Sequence, residues 1–216
     1  AATQVGSARI TPDTGSTAPS ASTVFSFTKA GVTVSRASVQ AQTAAVTLRT
    51  YLEVNSRASI PGAIQSAIAI ANNSSTSATI NFELIGLDGF SAGVSGAVVV
   101  PAFGHASKFI HELFPALDPT FKLPFRGVLR VTSSNLIVMV SLRVRYNERG
   151  ELLVTTIPVT NEATPSTIAD LLFPQIVDRG GYTTQFILFS GVAGQRTTGT
   201  LGFFGQNGQP LNLTVH

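Results

Sequence analysis

Apolar and polar positions alternate with a period of two through most of the chain, and β-branched residues gather in the same stretches. Successive side chains of a strand leave opposite faces, so this period predicts strands with one face against a core. The stretches are Val24–Phe27, Val46–Val54, Ala67–Ala71, Thr79–Ile85, Ala97–Val100, Gly127–Thr132, Leu136–Tyr146, Leu152–Val159, Gln185–Phe189 and Thr198–Phe204. Turn residues separate them, as in Pro12-Asp13-Thr14-Gly15, Asn72-Asn73-Ser74, Asp88-Gly89, Asn147-Glu148-Arg149-Gly150 and Asn207-Gly208. In Leu136–Tyr146 the residues Val138, Val140, Leu142, Val144 and Tyr146 share one face, which is expected to be the buried one. Met139, Ser141, Arg143 and Arg145 share the other. Two stretches have helical spacing instead. His105–Leu117 places Phe109, Ile110, Leu113 and Leu117 on one side, and Thr167–Phe173 does the same with Ile168, Leu171 and Leu172. Both are short and are expected to cover an open end of the fold. The class predicted is all-β, built of antiparallel β-sandwiches with one or two short capping helices.

An internal repeat organises these elements. Gln65-Ser-Ala-Ile-Ala-Ile-Ala-Asn72 followed by Thr79-Ile-Asn-Phe-Glu-Leu-Ile-Gly-Leu-Asp-Gly89 has a counterpart roughly 119 positions on. That counterpart is Gln185-Phe-Ile-Leu-Phe-Ser-Gly191 followed by Thr198-Gly-Thr-Leu-Gly-Phe-Phe-Gly-Gln-Asn-Gly208. The other half repeats in the opposite direction. Gly127-Val-Leu-Arg-Val-Thr132 matches Gly6-Ser-Ala-Arg-Ile-Thr11, the Val138–Tyr146 strand matches the Ser22–Phe27 region, and Gly150 meets Gly31. The period is roughly 120 residues, and the chain reads as the back half of one unit, a whole unit, and the front half of another. A linking stretch of about 24 residues, equivalent to the Val99–Lys122 neighbourhood, has no counterpart between the last and first halves. The expectation is therefore two related, Ig-like antiparallel modules in a permuted arrangement. Residues 1–42 plus 167–216 would form a discontinuous module, and residues 43–160 a continuous one. The separated halves can meet within one chain or between neighbouring chains. Tethering raises the local concentration of halves in the same chain and favours the internal closure.

Phe173-Pro-Gln-Ile-Val-Asp-Arg-Gly-Gly-Tyr-Thr-Thr-Gln-Phe-Ile-Leu188, followed by Thr198-Gly-Thr-Leu-Gly-Phe-Phe204, resembles a tandem β-sandwich repeat of large, uncharacterised secreted or surface proteins of soil bacteria. Gly6-Ser-Ala-Arg-Ile-Thr-Pro12, Asn147-Glu-Arg-Gly150 and Thr155-Thr-Ile-Pro158 resemble the same repeat, so the likeness covers most of the chain. These are turn and strand signatures. The resemblance implies a module with structural work at the cell surface or outside the cell, and brings no catalytic residues with it.

Composition narrows the chemistry. Of 216 residues, 44% are apolar and only 12% charged, with Ser and Thr filling the gap. The missing cysteines remove disulfide scaffolds, thiolate metal sites and Cys-based catalysis. The net charge is +3, carried by eleven Arg and three Lys without any basic run, so no nucleic-acid partner is expected. No apolar stretch has the length of a membrane-crossing helix. Scarce Lys with abundant Ser, Thr and Gly leans towards an extracellular or cell-surface protein.

Candidate chemistry is thin. Gly89-Phe90-Ser91-Ala92-Gly93 matches a nucleophile elbow, with His105, His111 and Asp118 downstream, but the strand-like Ala97–Val100 stands where the motif needs a helix. His111-Glu112 would need a second His at position 115, which is Pro, so no metal site and no cofactor are expected. Arg143 and Arg145 share one strand face, and Arg126 and Arg130 share another. Together these four make a candidate face for an anionic ligand such as an acidic polysaccharide. The function these patterns support is non-enzymatic self-association, as a filament, stalk or surface-layer component. A carbohydrate- or surface-binding adhesin using the arginine face is the alternative. The residues expected at an assembly interface are Phe109, Ile110, Leu113, Phe114, Phe173 and the terminal strand residues Leu211, Leu213 and Val215.

Overall fold

The computed structural model describes residues 3–114, 123–164, 170–190, 192, 194–195 and 198–213. In chain order the elements are β1 (Ser22–Lys29), β2 (Val32–Gln40), β3 (Ala45–Val54), β4 (Ile64–Asn72), β5 (Ala78–Gly86), β6 (Ser91–Val100) and β7 (His105–Phe109). They continue with α1 (Ile110–Leu113), β8 (Phe125–Tyr146), β9 (Leu152–Ile157) and β10 (Val159–Asn161). The protein is nearly all β, and every ladder is antiparallel.

β8 organises the rest. Gly127–Thr132 and Leu136–Tyr146, expected as two strands, are one strand of 22 residues. Its first half runs between β3 and β5, and its second half between β4 and β9. Beyond these neighbours, β6 extends β5, β7 extends β4 and β10 extends β3. The polar residues between the two halves read as a break, yet Ser and Thr tolerate extended backbone and here fasten the strand. Ser134 Oγ accepts from Thr79 N at 3.0 Å, and Asn135 Nδ2 donates to Ser77 O at 3.0 Å.

The core lies where the two halves of β8 contribute together. Leu48 and Leu52 of β3, Ile68 and Ile70 of β4, and Ile80, Phe82 and Leu84 of β5 close around Leu129, Val131, Ile137 and Met139 of β8. Burial follows the hydrophobic effect, which stabilises by about 1.5–3 kcal/mol for each large aliphatic or aromatic side chain taken from water. The expected facing of the second half of β8 is reversed over Ile137–Leu142 and holds at Val144, which is buried between the less buried Arg143 and Arg145. Ile137 and Met139 are the core residues, with Ser141 buried beside them, whereas Val138, Val140 and Leu142 are half-buried. Leu142 faces the β1–β2 hairpin instead, sharing an apolar cleft with Phe25, Phe27, Ala37 and Val154.

Four further elements differ from expectation. His105–Phe109 is a strand on the edge of β4 rather than helix, because its alternation fits the pleat as well as it fits a helical turn. Only Ile110–Leu113 is helical, opened by the Glu112 carboxylate accepting from Phe109 N at 2.7 Å, while residues 115–117 lie outside the described residues. Of Thr167–Phe173, the described residues 170–173 are not helical. Gln185–Phe189 and Thr198–Phe204 have strand-like sequence, but in this chain they join no ladder beyond an isolated bridge from Phe204 to Pro210.

The β1–β2 hairpin forms a sheet of its own. Its two-residue turn, Ala30-Gly31, has positive φ at both positions, which suits the right-handed twist of the flanking strands. It touches the rest of the protein through β9, where Ser35 Oγ accepts from Val154 N at 2.8 Å. Among the described residues, no helix is long and apolar enough to cross a membrane.

Candidate functional site

Packing around α1 decides the fate of the first set of interface residues. Ile110, Leu113 and Phe114 are buried, and Phe114 meets Phe82 edge-on with ring centroids 6.4 Å apart. These three close the core and offer no free surface to a partner. Phe109 is half-buried, stacked on His111 at 5.6 Å. Phe173 is exposed and packs edge-on against Phe186, which in turn meets Phe203. Leu211 is also exposed, donating its backbone N–H to Phe203 O, and Leu213 is half-buried. Residues 211–213 form no strand, and Val215 lies outside the described residues.

Register sets the arginines. Glu53 of β3 lies opposite Arg126 of β8, and its side chain is 5% exposed. Arg126 Nε donates to Glu53 Oε1 and Arg143 Nε donates to Glu53 Oε2, each at 3.0 Å, so one carboxylate holds two guanidinium groups. Arg130 makes a forked contact to Glu162 through Nε and Nη2, each at 3.0 Å, and stands 3.9 Å from Glu83. Arg145 pairs with Glu148 at 2.8 Å. All four arginines expected to form a bare anionic-ligand face therefore have carboxylate partners of their own. A further ligand would have to compete with charge-assisted bonds that are already made.

Three participants in this network were not singled out by sequence: Arg49, Tyr51 and Glu162. Arg49 stands 3.3 Å from Glu162 and donates to Ser190 O, which fastens the C-terminal segment to β3. Burial pulls the Arg49 guanidinium below its usual range, and the Glu162 carboxylate opposes that shift. The hydrogen bond to Glu162 raises Arg130. Burial, reinforced by the Glu53 charge, pushes the Tyr51 phenol up, and its hydroxyl has no hydrogen-bond partner among the described residues. Alternation of Arg49, Tyr51 and Glu53 along β3 was the available signal for a shared face.

Ser91 opens β6 directly after a hairpin turn, so the motif around it is followed by a strand and not by the helix a nucleophile elbow needs. That turn has a twin. Gly89 N donates to Gly86 O at 3.0 Å and Gly208 N to Gly205 O at 2.9 Å. Gly86 N donates to Phe90 O and Gly205 N to Gln209 O, both at 2.8 Å. Asp88 Oδ1 accepts from Phe90 N, as Asn207 Oδ1 does from Gln209 N. The bridge Phe204–Pro210 stands where Ile85–Ser91 stands in the β5–β6 ladder. Gly89 and Gly208 both have positive φ, +85° and +78°, which explains the glycine at each.

Exposed large apolar side chains are concentrated at the two ends of the described chain. Val24, Phe25, Phe27 and Val32 are exposed on the hairpin, and Val5 and Ile10 precede it. Leu171, Leu172, Phe173, Tyr182, Leu188, Phe204 and Leu211 are exposed in the C-terminal segment.

No family model matches the chain, and no curated protein matches it. Among solved structures, that of Thermotoga maritima 1070 is similar with a TM-score of 0.37 and 13% identity, covering 51% of this chain and 91% of that one. A likeness that slight carries no argument about fold or function.

Proposed function

We propose that this chain is a non-enzymatic, self-associating structural protein of the cell surface or exterior, a component of a filament, stalk or surface layer. The observation that carries the reading is the uneven distribution of apolar surface. Residues 45–161 close a core of their own, while the segments before and after hold most of the large side chains left in water. Large apolar side chains left in water in such number point to a surface that a partner covers. The architecture that goes with this reading is a pair of related, Ig-like β-sandwich modules. In residues 43–160, the two halves of β8 would belong to two facing sheets. The second module would be made from the segments 1–42 and 167–216. The twin turns at Gly86–Phe90 and Gly205–Gln209 support the pairing of C-terminal residues with β5 and β6. The resemblance to tandem repeats of secreted bacterial proteins points the same way, as does the scarcity of Lys. The paired state of Arg126, Arg130, Arg143 and Arg145 weighs against the adhesin alternative.

Electron microscopy and sedimentation of the purified full chain test the reading. Fibres or ordered arrays are the expected result, lost in a Phe173→Asp, Leu211→Asp variant that keeps the wild-type circular dichroism. Discrete particles of the 22.5 kDa chain at all concentrations would contradict it.

A further inference from the structure

We propose that the C-terminal segment of one copy completes the β1–β2 hairpin of the next. Residues 183–190 would add antiparallel to the free edge of β1, with Gln185 opposite Val24. The inference rests on the self-association reading and specifies its contact.

The argument starts from the continuous half of the chain, where the equivalent contact is already made. There the second half of β8 is sandwiched in one layer between β9 and β4, with Ser66 opposite Arg143, Ile64 opposite Arg145 and Ile68 opposite Ser141. The β1–β2 hairpin is the counterpart of β8 and β9. Gly31 and Gly150 turn the two hairpins with φ of +80° and +69°. The two ladders differ in register by an even step, Ser22 opposite Gln40 against Ser141 opposite Ile157, so the same faces are kept. What β1 lacks is the neighbour that β4 supplies to β8. Residues 183–190 are the counterpart of β4, roughly 119 positions on. Carrying the β4–β8 register across the repeat puts Gln185 opposite Val24, Thr183 opposite Ser26 and Ile187 opposite Ser22. The same operation on β5 and β8, where Phe82 lies opposite Val131, puts Leu201 opposite Ile10.

Within this chain the contact is not made. Among the described residues β1 pairs with β2 alone, every residue of β1 is exposed, and residues 183–190 join no ladder. The segments are moored to different strands and turns of the continuous half. Arg9 donates to Asn73 O, Ser35 bonds Val154, and Ser190 O accepts from Arg49. Tethering favours internal pairing only while the tether lets the partners meet, and moorings on separate elements remove that advantage. An edge strand with unpaired N–H and C=O groups recruits a strand from another molecule. Donor and acceptor are different surfaces of one sequence, so the contact is head to tail and grows into a filament unless rotation closes a ring.

The absence of native cysteine makes engineered cross-links clean. Directly opposed residues in an antiparallel ladder have Cα atoms about 4.5–5.5 Å apart. That lies inside the disulfide range of about 4.4–6.8 Å. Val24 and Gln185 are both exposed, so Val24→Cys and Gln185→Cys leave the fold of the single chain undisturbed. The full-length double variant is oxidised and run without reductant, beside an off-register control carrying Val24→Cys and Ile187→Cys, and the same samples are imaged. The expected result is a ladder of covalent oligomers that the control forms more slowly. Mixing the two single variants should give a covalent heterodimer. Covalently closed monomers would overturn the exchange between copies. A control that cross-links as fast as the matched pair would overturn the register. Fibres without any cross-link would overturn strand addition and leave self-association standing, whereas neither fibres nor cross-link would overturn both.

Discussion

Arg49, Tyr51 and Glu53 leave β3 on one side, two residues apart, and all three are buried. Two of them meet their charge partners, so the face holds together as a network. Tyr51 is the exception: its hydroxyl is buried without a partner among the described residues. Leaving a buried polar group unpaired costs about 1–3 kcal/mol. Tyr51→Phe is therefore expected to leave stability unchanged or raise it by about 1 kcal/mol, measured by urea denaturation at pH 7. The same variant should change the response to alkali. The folded-state value is raised above the ordinary 10.0, so above that pH the unfolded chain gives up a proton that the folded chain keeps. The Tyr51 contribution is level below pH 10.0 and falls as pH rises towards the folded value, and Tyr51→Phe should lose less stability over that interval. These partnerships were not legible in sequence, because they join residues 73 and 90 positions apart, Arg126 and Arg143 to Glu53. The arginines were visible as charges on strand faces, but pairing depends on register.

The elements show where periodicity suffices and where it does not. Strands β3, β4, β5 and β9 were legible within a few residues, β3 and β5 from their alternation and β4 and β9 from short apolar or β-branched runs. β8 reads as two strands because the polar Ser133, Ser134 and Asn135 interrupt the alternation, and the side-chain bonds to Thr79 and Ser77 show why it continues. Facing over Ile137–Leu142 differs from expectation for a related reason. Both faces are apolar enough to be covered, one by the core and the other by the β1–β2 hairpin, so alternation alone could not choose. Short helix-like runs met the same ambiguity at β7. Burial separates two phenylalanines that look alike in sequence. Phe114 is 1% exposed against the core, and its replacement by Ala should cost about 3–5 kcal/mol in thermal or denaturant unfolding. Phe25, at 54% exposed on the hairpin, should cost little by the same measurement in dilute protein.

At the scale of the molecule, a continuous half that closes its own core is flanked by two segments that leave large apolar side chains in water. The turn near Gly89 and its twin near Gly208 share their hydrogen bonds, as the repeat read in the sequence would require. On the self-association proposed above, a second copy would be the partner, since its sequence carries the matching strand. Hydrogen–deuterium exchange of the β1 and 183–190 backbone amides, followed from dilute to concentrated protein, tests this most directly. For residues 183–190 and for the β1 amides that point away from β2, rapid exchange in dilute solution and strong protection on concentration is the predicted result. Protection that is already complete in dilute, monomeric protein, or that never develops in either segment, would contradict the account.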